Sequence, residues 1–215
     1  MKIDFPHSAL LIIDVQNDFC PGGALAVEMG DEVIEPLNNL SSMFAAGSGR
    51  VVATQDWHPI GHASFASSHE NKKPGETVDL PDVKGQVLWP SHCIQGSHGA
   101  DFHERLDQEP VNLILRKGFR TGIDSYSAFF ENDRKTSTGL DGYLKGYSID
   151  TLVLGGLATD YCVLYSALDA VALGYITVLA GDATRGVDFP KGSFEWAIDS
   201  LDKAGVIFAM TEDMH

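Results

Sequence analysis

The chain has 215 residues, with 44% hydrophobic and 21% charged side chains, and sets 15 Lys plus Arg against 30 Asp plus Glu for a formal net charge of −15. That length suits one large domain with a sizeable core, and the composition excludes a disordered, collagenous or coiled-coil chain. The acidic field has no basic run on which a phosphate backbone could dock, and no apolar run approaches the roughly 18 residues of a membrane span, so neither nucleic acid nor a membrane is an expected partner and a cytoplasmic location is expected.

Taken in chain order, the first apolar run, Ala9 to Val15, reads as a buried strand and is followed by a helical pattern from Asp31 to Phe44. Further strands are predicted at Val51–Thr54, Val111–Leu115, Thr151–Leu154, Ile176–Ala180 and Val206–Ala209. Helices are predicted around Gly139–Lys145 and at Asp160–Leu173 and Ser193–Lys203, with Gly146, Gly174 and Gly205 as C-terminal caps. This alternation predicts an α/β fold: three layers, with a mostly parallel six-stranded sheet and helices on both faces. No repeat or linker divides it, so residues 1–215 are expected to form a single domain. Its rhythm breaks only between about 57 and 110, where Gly, Pro and six of the eight histidines gather with Trp57 and Trp89. A segment rich in aromatics is not expected to be disordered, and it reads as an ordered functional excursion.

Ligands of open α/β sheets bind at the carboxyl ends of the strands. Asp14 closes the first strand, Asp56-Trp57-His58 follow the second, Arg116-Lys117-Gly118 end the third, and the fourth opens through Gly155 to Asp160 into the helix carrying Cys162. Three cysteines, Cys20, Cys93 and Cys162, are too few to staple the chain, so each is a free thiol, a ligand or a nucleophile candidate. Cys162 is expected in the first turn of its helix, with Thr159 or Asp160 as N-cap, where the helix dipole and the Lys117 cation favour a thiolate and Asp14 can carry its proton. Singly, each residue reads as a buried hydrophobe, a surface charge or a turn former; their convergence on one sheet edge points to acyl transfer from an amide.

Asp56-x-His58, with His62 and His92, is a carboxylate–imidazole set suited to zinc, iron or manganese, although the spacing alone does not separate ligands from solvated loop histidines. His69, His98, His103 and His215 are left as loop and surface residues, Asp18 as a turn residue and Cys93 as buried filler. No phosphate-binding loop, dinucleotide fingerprint, zincin helix or Gly-x-Ser-x-Gly elbow occurs.

These motifs resemble the isochorismatase-like cysteine hydrolases, in particular their nicotinamidase/pyrazinamidase branch. The likeness spans nearly the whole chain: Asp14-Val15-Gln16-Asn17-Asp18-Phe19, Thr54-Gln55-Asp56-Trp57-His58-Pro59, Trp89-Pro90-Ser91-His92-Cys93, Arg116-Lys117-Gly118, Asp124-Ser125-Tyr126-Ser127-Ala128-Phe129 and Ala158-Thr159-Asp160-Tyr161-Cys162-Val163. The resemblance implies a catalytic triad of Asp14, Lys117 and Cys162. It also implies one divalent transition metal on Asp56, His58 and His92, with zinc ahead of iron or manganese; His62 matches a ligand found in only some relatives. A cis peptide from Leu157 to Ala158 is implied as well, presenting the Ala158 and Cys162 N–H groups as an oxyanion hole. Phe19, Trp89, Tyr126 and Tyr161 would hold the ring of nicotinamide, its nitrogen on the metal and its carboxamide against Cys162, for hydrolysis to nicotinate and ammonia in NAD salvage. Leu157 and Tyr161 depart from the commonest residues at their positions and bear on pocket shape. The alternatives are a hydrolase of another small amide such as N-carbamoylsarcosine, an isochorismatase, or a ligand-binding module on the same scaffold. A monomer and a homo-oligomer both remain open.

Overall fold

The computed structural model describes residues 1–215. β1 (Ser8–Ile13) is buried along its whole length because it lies at the centre of a sheet covered on both faces, which is why its sequence is a continuous apolar run. α1 (Ile34–Ala46) follows, entered through a 3-10 turn, then β2 (Arg50–Asp56). The excursion contains a short antiparallel ribbon of β3 (Thr77–Val78) and β4 (Gln86–Val87) and two 3-10 turns, Ala66–Ser68 and His98–Ala100. β5 (Leu113–Lys117), α2 (Leu140–Gly146) and β6 (Thr151–Leu157) come next. α3 (Leu164–Ala172), preceded by a π turn at Thr159–Val163, leads to β7 (Ile176–Arg185), α4 (Ser193–Ala204) and β8 (Ile207–Ala209).

The main sheet has six strands in the order β5-β2-β1-β6-β7-β8, and every pairing within it is parallel. Within β1 the side chains still alternate between two cores. Leu10 and Ile12 join Leu37, Leu40 and Phe44 of α1 on one face, while Ala9, Leu11 and Ile13 meet Leu140 and Leu144 of α2, Leu164 and Ala167 of α3, and Ala197 and Leu201 of α4 on the other. Gly205 takes the left-handed conformation expected of a C-terminal cap, with φ of +87°. Gly146 does not: it remains inside α2, and Ser148 two residues on adopts positive φ.

Because β1 is central and the chain winds outward to β5 on one side and to β8 on the other, the carboxyl ends of β1, β2, β5 and β6 open onto one crevice. Register aligns its residues, since Asp56 pairs with Lys117 and Ile13 with Gly156. The excursion is stitched over the crevice by backbone hydrogen bonds: His58 N to Cys93 O, Gln95 N to His58 O and Trp89 N to Ser64 O. No helix is long and apolar enough to cross a membrane.

Candidate active site and metal centre

Lys117 is a fully buried cation at the end of β5, and its Nζ organises the crevice. It lies 2.8 Å from Asp14 Oδ2, 2.5 Å from Asp56 Oδ1, 2.8 Å from the Ser125 carbonyl and 3.4 Å from Cys162 Sγ. Burial would strip its proton, but Asp14 and Asp56 override that and hold its pKa well above the ordinary lysine value. The same burial lifts the Asp14 carboxyl to about 6 against the pull of Lys117. Asp14 is itself aimed by Thr54, whose hydroxyl donates to its Oδ1 at 2.6 Å while accepting its backbone N–H at 3.1 Å.

Cys162 sits in the π turn after β6, behind the cis peptide Leu157–Ala158. Two sequence expectations change here. Neither Thr159 nor Asp160 caps the helix: Thr159 Oγ1 pairs with Thr184 Oγ1 at 2.7 Å, and the Asp160 carboxylate faces the segment after β7. Nor is a thiolate favoured, because burial pushes the Cys162 thiol well above its ordinary pKa, with Lys117 opposing and Asp14 reinforcing the rise. A thiol whose proton is held by burial, next to the Asp14 carboxylate, is an arrangement in which that carboxylate is placed to take the proton.

Asp56, His58 and His92 are all buried and bring their donor atoms within 4.8 Å of one another. Each ring is fixed by a backbone carbonyl on its Nδ1, Gly118 O for His58 and Pro90 O for His92, both at 2.8 Å. Those bonds place the proton on Nδ1 and leave both Nε2 lone pairs facing Asp56 Oδ2, at 3.5 and 4.0 Å. His58 Nε2 is buried without a hydrogen-bond partner. Two outward lone pairs, a carboxylate oxygen and an orphaned nitrogen are a donor set that suits a divalent metal. His62 differs, since its Nδ1 bonds Ser64 Oγ at 2.8 Å and its Nε2 donates to Ile123 O at 3.0 Å, leaving no free lone pair. Cys93 is buried away from this set, and Asp18 binds the Cys93 N–H at 2.7 Å, anchoring the backbone next to His92.

One apolar cavity receives both groups. It is lined by Phe19, Trp89, Tyr126, Tyr161, Ala158 and Cys162 together with Asp56 and His92, which gathers the expected ring-binding residues, the nucleophile candidate and two of the candidate metal ligands. Trp89 and Tyr161 meet edge to face with centroids 4.8 Å apart, and Trp89 Nε1 donates to the Tyr126 hydroxyl at 3.1 Å. Leu25, Val27, Asp124 and Val187 also line it. Sequence reasoning gave these four no role, because all lie on irregular segments brought in by tertiary contact. Asp124 stood inside a quoted motif, and as a buried carboxylate beside the histidines it was the one that could have been found: its Oδ1 is 4.0 Å from His58 Nε2.

The family model of the isochorismatase domain matches residues 8–213. A nicotinamidase of Acinetobacter baylyi is 48% identical over 200 residues, covering 93% of this chain and 91% of that protein. Among solved structures, a nicotinamidase/pyrazinamidase of Acinetobacter baumanii superposes with a TM-score of 0.92 at 49% identity, covering 97% of this chain and 98% of that one. The pyrazinamidase of Pyrococcus horikoshii, solved in complex with zinc, gives a TM-score of 0.78 at 31% identity over 95% and 99% of the two chains. A match that takes in every strand of the sheet and every residue of the crevice leaves one assignment: the chain belongs to the isochorismatase family.

Proposed function

We propose that this chain is a metal-dependent cysteine amidohydrolase that converts nicotinamide to nicotinate and ammonia, and pyrazinamide to pyrazinoate, as a step of NAD salvage. The observation that carries this reading is Cys162 Sγ, 3.4 Å from a buried lysine, in the same aromatic cavity as Asp56 and His92. It is supported by the likeness to a nicotinamidase over most of both chains. Asp56, His58 and His92 would hold a divalent metal, zinc by analogy with the Pyrococcus horikoshii protein, which would supply a Lewis-acidic position for the pyridine nitrogen.

The chain's own residues do the rest. Phe19, Trp89, Tyr126 and Tyr161 sandwich the ring and orient the carboxamide toward Cys162. Asp14 takes the thiol proton as Sγ adds to the carbonyl carbon, and the Ala158 and Cys162 N–H groups hold the oxyanion. Asp14 returns that proton to the amide nitrogen, the C–N bond breaks, and ammonia leaves a thioester on Cys162. Water deprotonated by Asp14 adds to the thioester, the C–S bond breaks to give nicotinate, and the thiol is reprotonated. Lys117 holds Asp14 and Asp56 apart and stabilises the Asp14 carboxylate each time it forms.

A coupled assay of ammonia release tests this directly, with nicotinamide, pyrazinamide and N-carbamoylsarcosine as parallel substrates. Turnover of the two ring amides is the expected result. Turnover of N-carbamoylsarcosine alone would overturn the assignment.

A further inference from the structure

Asp160 is 3% exposed and lies two residues before Cys162, yet its carboxylate turns away from the reaction. It receives three neutral donors from a single segment: Val187 N at 3.0 Å, Asp188 N at 2.9 Å and Ser193 Oγ at 2.5 Å. The next residue joins the same segment, since the Tyr161 hydroxyl donates to Phe189 O at 2.6 Å. That segment, between the end of β7 and the start of α4, supplies Val187 to the cavity wall and sets the Phe189 ring 6.4 Å from Trp89. Its approach is close. A Cβ on Gly186 would stand 3.1 Å from Asp160 Oδ1 and 2.4 Å from the Phe194 ring, so a larger residue there would have to displace that ring.

A buried carboxylate is costly unless its oxygens are hydrogen-bonded, and charge-assisted bonds are stronger than neutral ones. Asp160 therefore forces the segment to one position relative to the turn that bears Cys162. We propose that Asp160 is a positioning residue for substrate: it latches the 186–193 segment to the nucleophile turn and so fixes the wall against which the substrate ring packs. The proposal rests on the amidase reading for its kinetic arm only. Asp160 touches neither the metal ligands nor Sγ, so its removal should loosen ring binding and leave the chemical step nearly intact.

The test compares wild type, Asp160→Asn and Ser193→Ala, each assayed with nicotinamide and followed by hydrogen exchange across residues 186–193. The asparagine amide keeps the shape but turns an NH2 toward donors. KM should rise by about tenfold or more with kcat changed less than about threefold, the pattern of lost binding that the ground and transition states share. Exchange in 186–193 should accelerate while β1 stays protected. Ser193→Ala, which removes one donor of three, should raise KM about twofold to fivefold by the same reasoning. Unchanged KM in a folded Asp160→Asn, or a collapse of kcat at constant KM, would overturn the proposal. If Asp160→Asn does not fold, Ser193→Ala decides, and unchanged KM and exchange there would overturn it. If wild type fails to hydrolyse nicotinamide, the amidase reading falls, and unaltered exchange in the variants would still sink the latch.

Discussion

Replacing Lys117 with methionine, which keeps the reach of the side chain and removes its charge, asks whether this buried cation holds the reactive set together. Its loss leaves Asp14, Asp56 and Cys162, whose donor atoms all lie within 4.8 Å of one another, with no compensating cation among them. Breaking a buried ion pair by removing one partner costs about 3–5 kcal/mol, a large part of the roughly 5–15 kcal/mol that stabilises a typical domain. The penalty depends on pH, and its sign follows from Asp14. That carboxyl already sits at about 6 against an ordinary 3.8, chiefly through burial, and loss of Lys117 raises it further. Between the two values the folded state keeps a proton that the unfolded state has released, so stability falls as pH rises. In the wild type that window closes near pH 6; in Lys117→Met it extends to higher pH. Denaturant unfolding should therefore show a gap between the proteins that widens from about pH 5 to about pH 8. A carboxyl held protonated to higher pH is lost as a base over that range, and kcat/KM for nicotinamide should fall by about a thousandfold. Equal stability of the two proteins at about pH 8, or a variant keeping more than about a tenth of wild-type kcat/KM, would refute this account.

Cys162→Ala should abolish ammonia release while calorimetry still detects nicotinamide binding, because the thiol makes the covalent bond and the aromatic residues hold the ring; turnover in that variant would remove Cys162 as nucleophile. Elemental analysis of protein purified without chelator should find about one transition metal per chain, and chelation should suppress hydrolysis. His92→Ala should lower metal content more than His62→Ala, since His92 keeps a free Nε2 and both nitrogens of His62 are engaged by Ser64 and Ile123; the reverse order would contradict the ligand assignment. Benzamide, which stacks like nicotinamide but has no ring nitrogen, should show kcat/KM at least about tenfold lower, roughly 1.4 kcal/mol, while pyrazinamide is hydrolysed; equal rates for benzamide and nicotinamide would leave the metal without a role in binding substrate.

What the sequence disclosed, and what it withheld, follows from the range over which each feature is determined. The six strands of the main sheet and the four helices are legible because a doubly covered parallel sheet demands apolar runs and its helices demand an apolar stripe, and both patterns are local, whereas the two-residue strands β3 and β4 carry no such pattern. Strand ends were less so. β7 was read to Ala180 and runs to Arg185, because Asp182 and Thr184 interrupt the apolar pattern while a register shift opposite Leu154–Gly156 keeps the pairing alive. The same local logic located Asp14, Asp56 and Lys117 at strand ends and Cys162 in the turn that follows β6, so the topology alone sufficed to bring them together. It failed for the thiol. A helix start and a lysine were visible in sequence and both favour a thiolate, but the depth of burial that outweighs them is a property of the packed crevice. It failed also for Asp124 and Val187, which reach the cavity from segments without periodicity. Chemistry carried by strand ends is thus readable from one sequence, whereas the protonation state of that chemistry, and the walls that choose its substrate, are set by contacts between residues far apart in the chain. Asp160 is where the two meet, since it belongs to the nucleophile's own motif by sequence and to the opposite wall of the cavity by its hydrogen bonds.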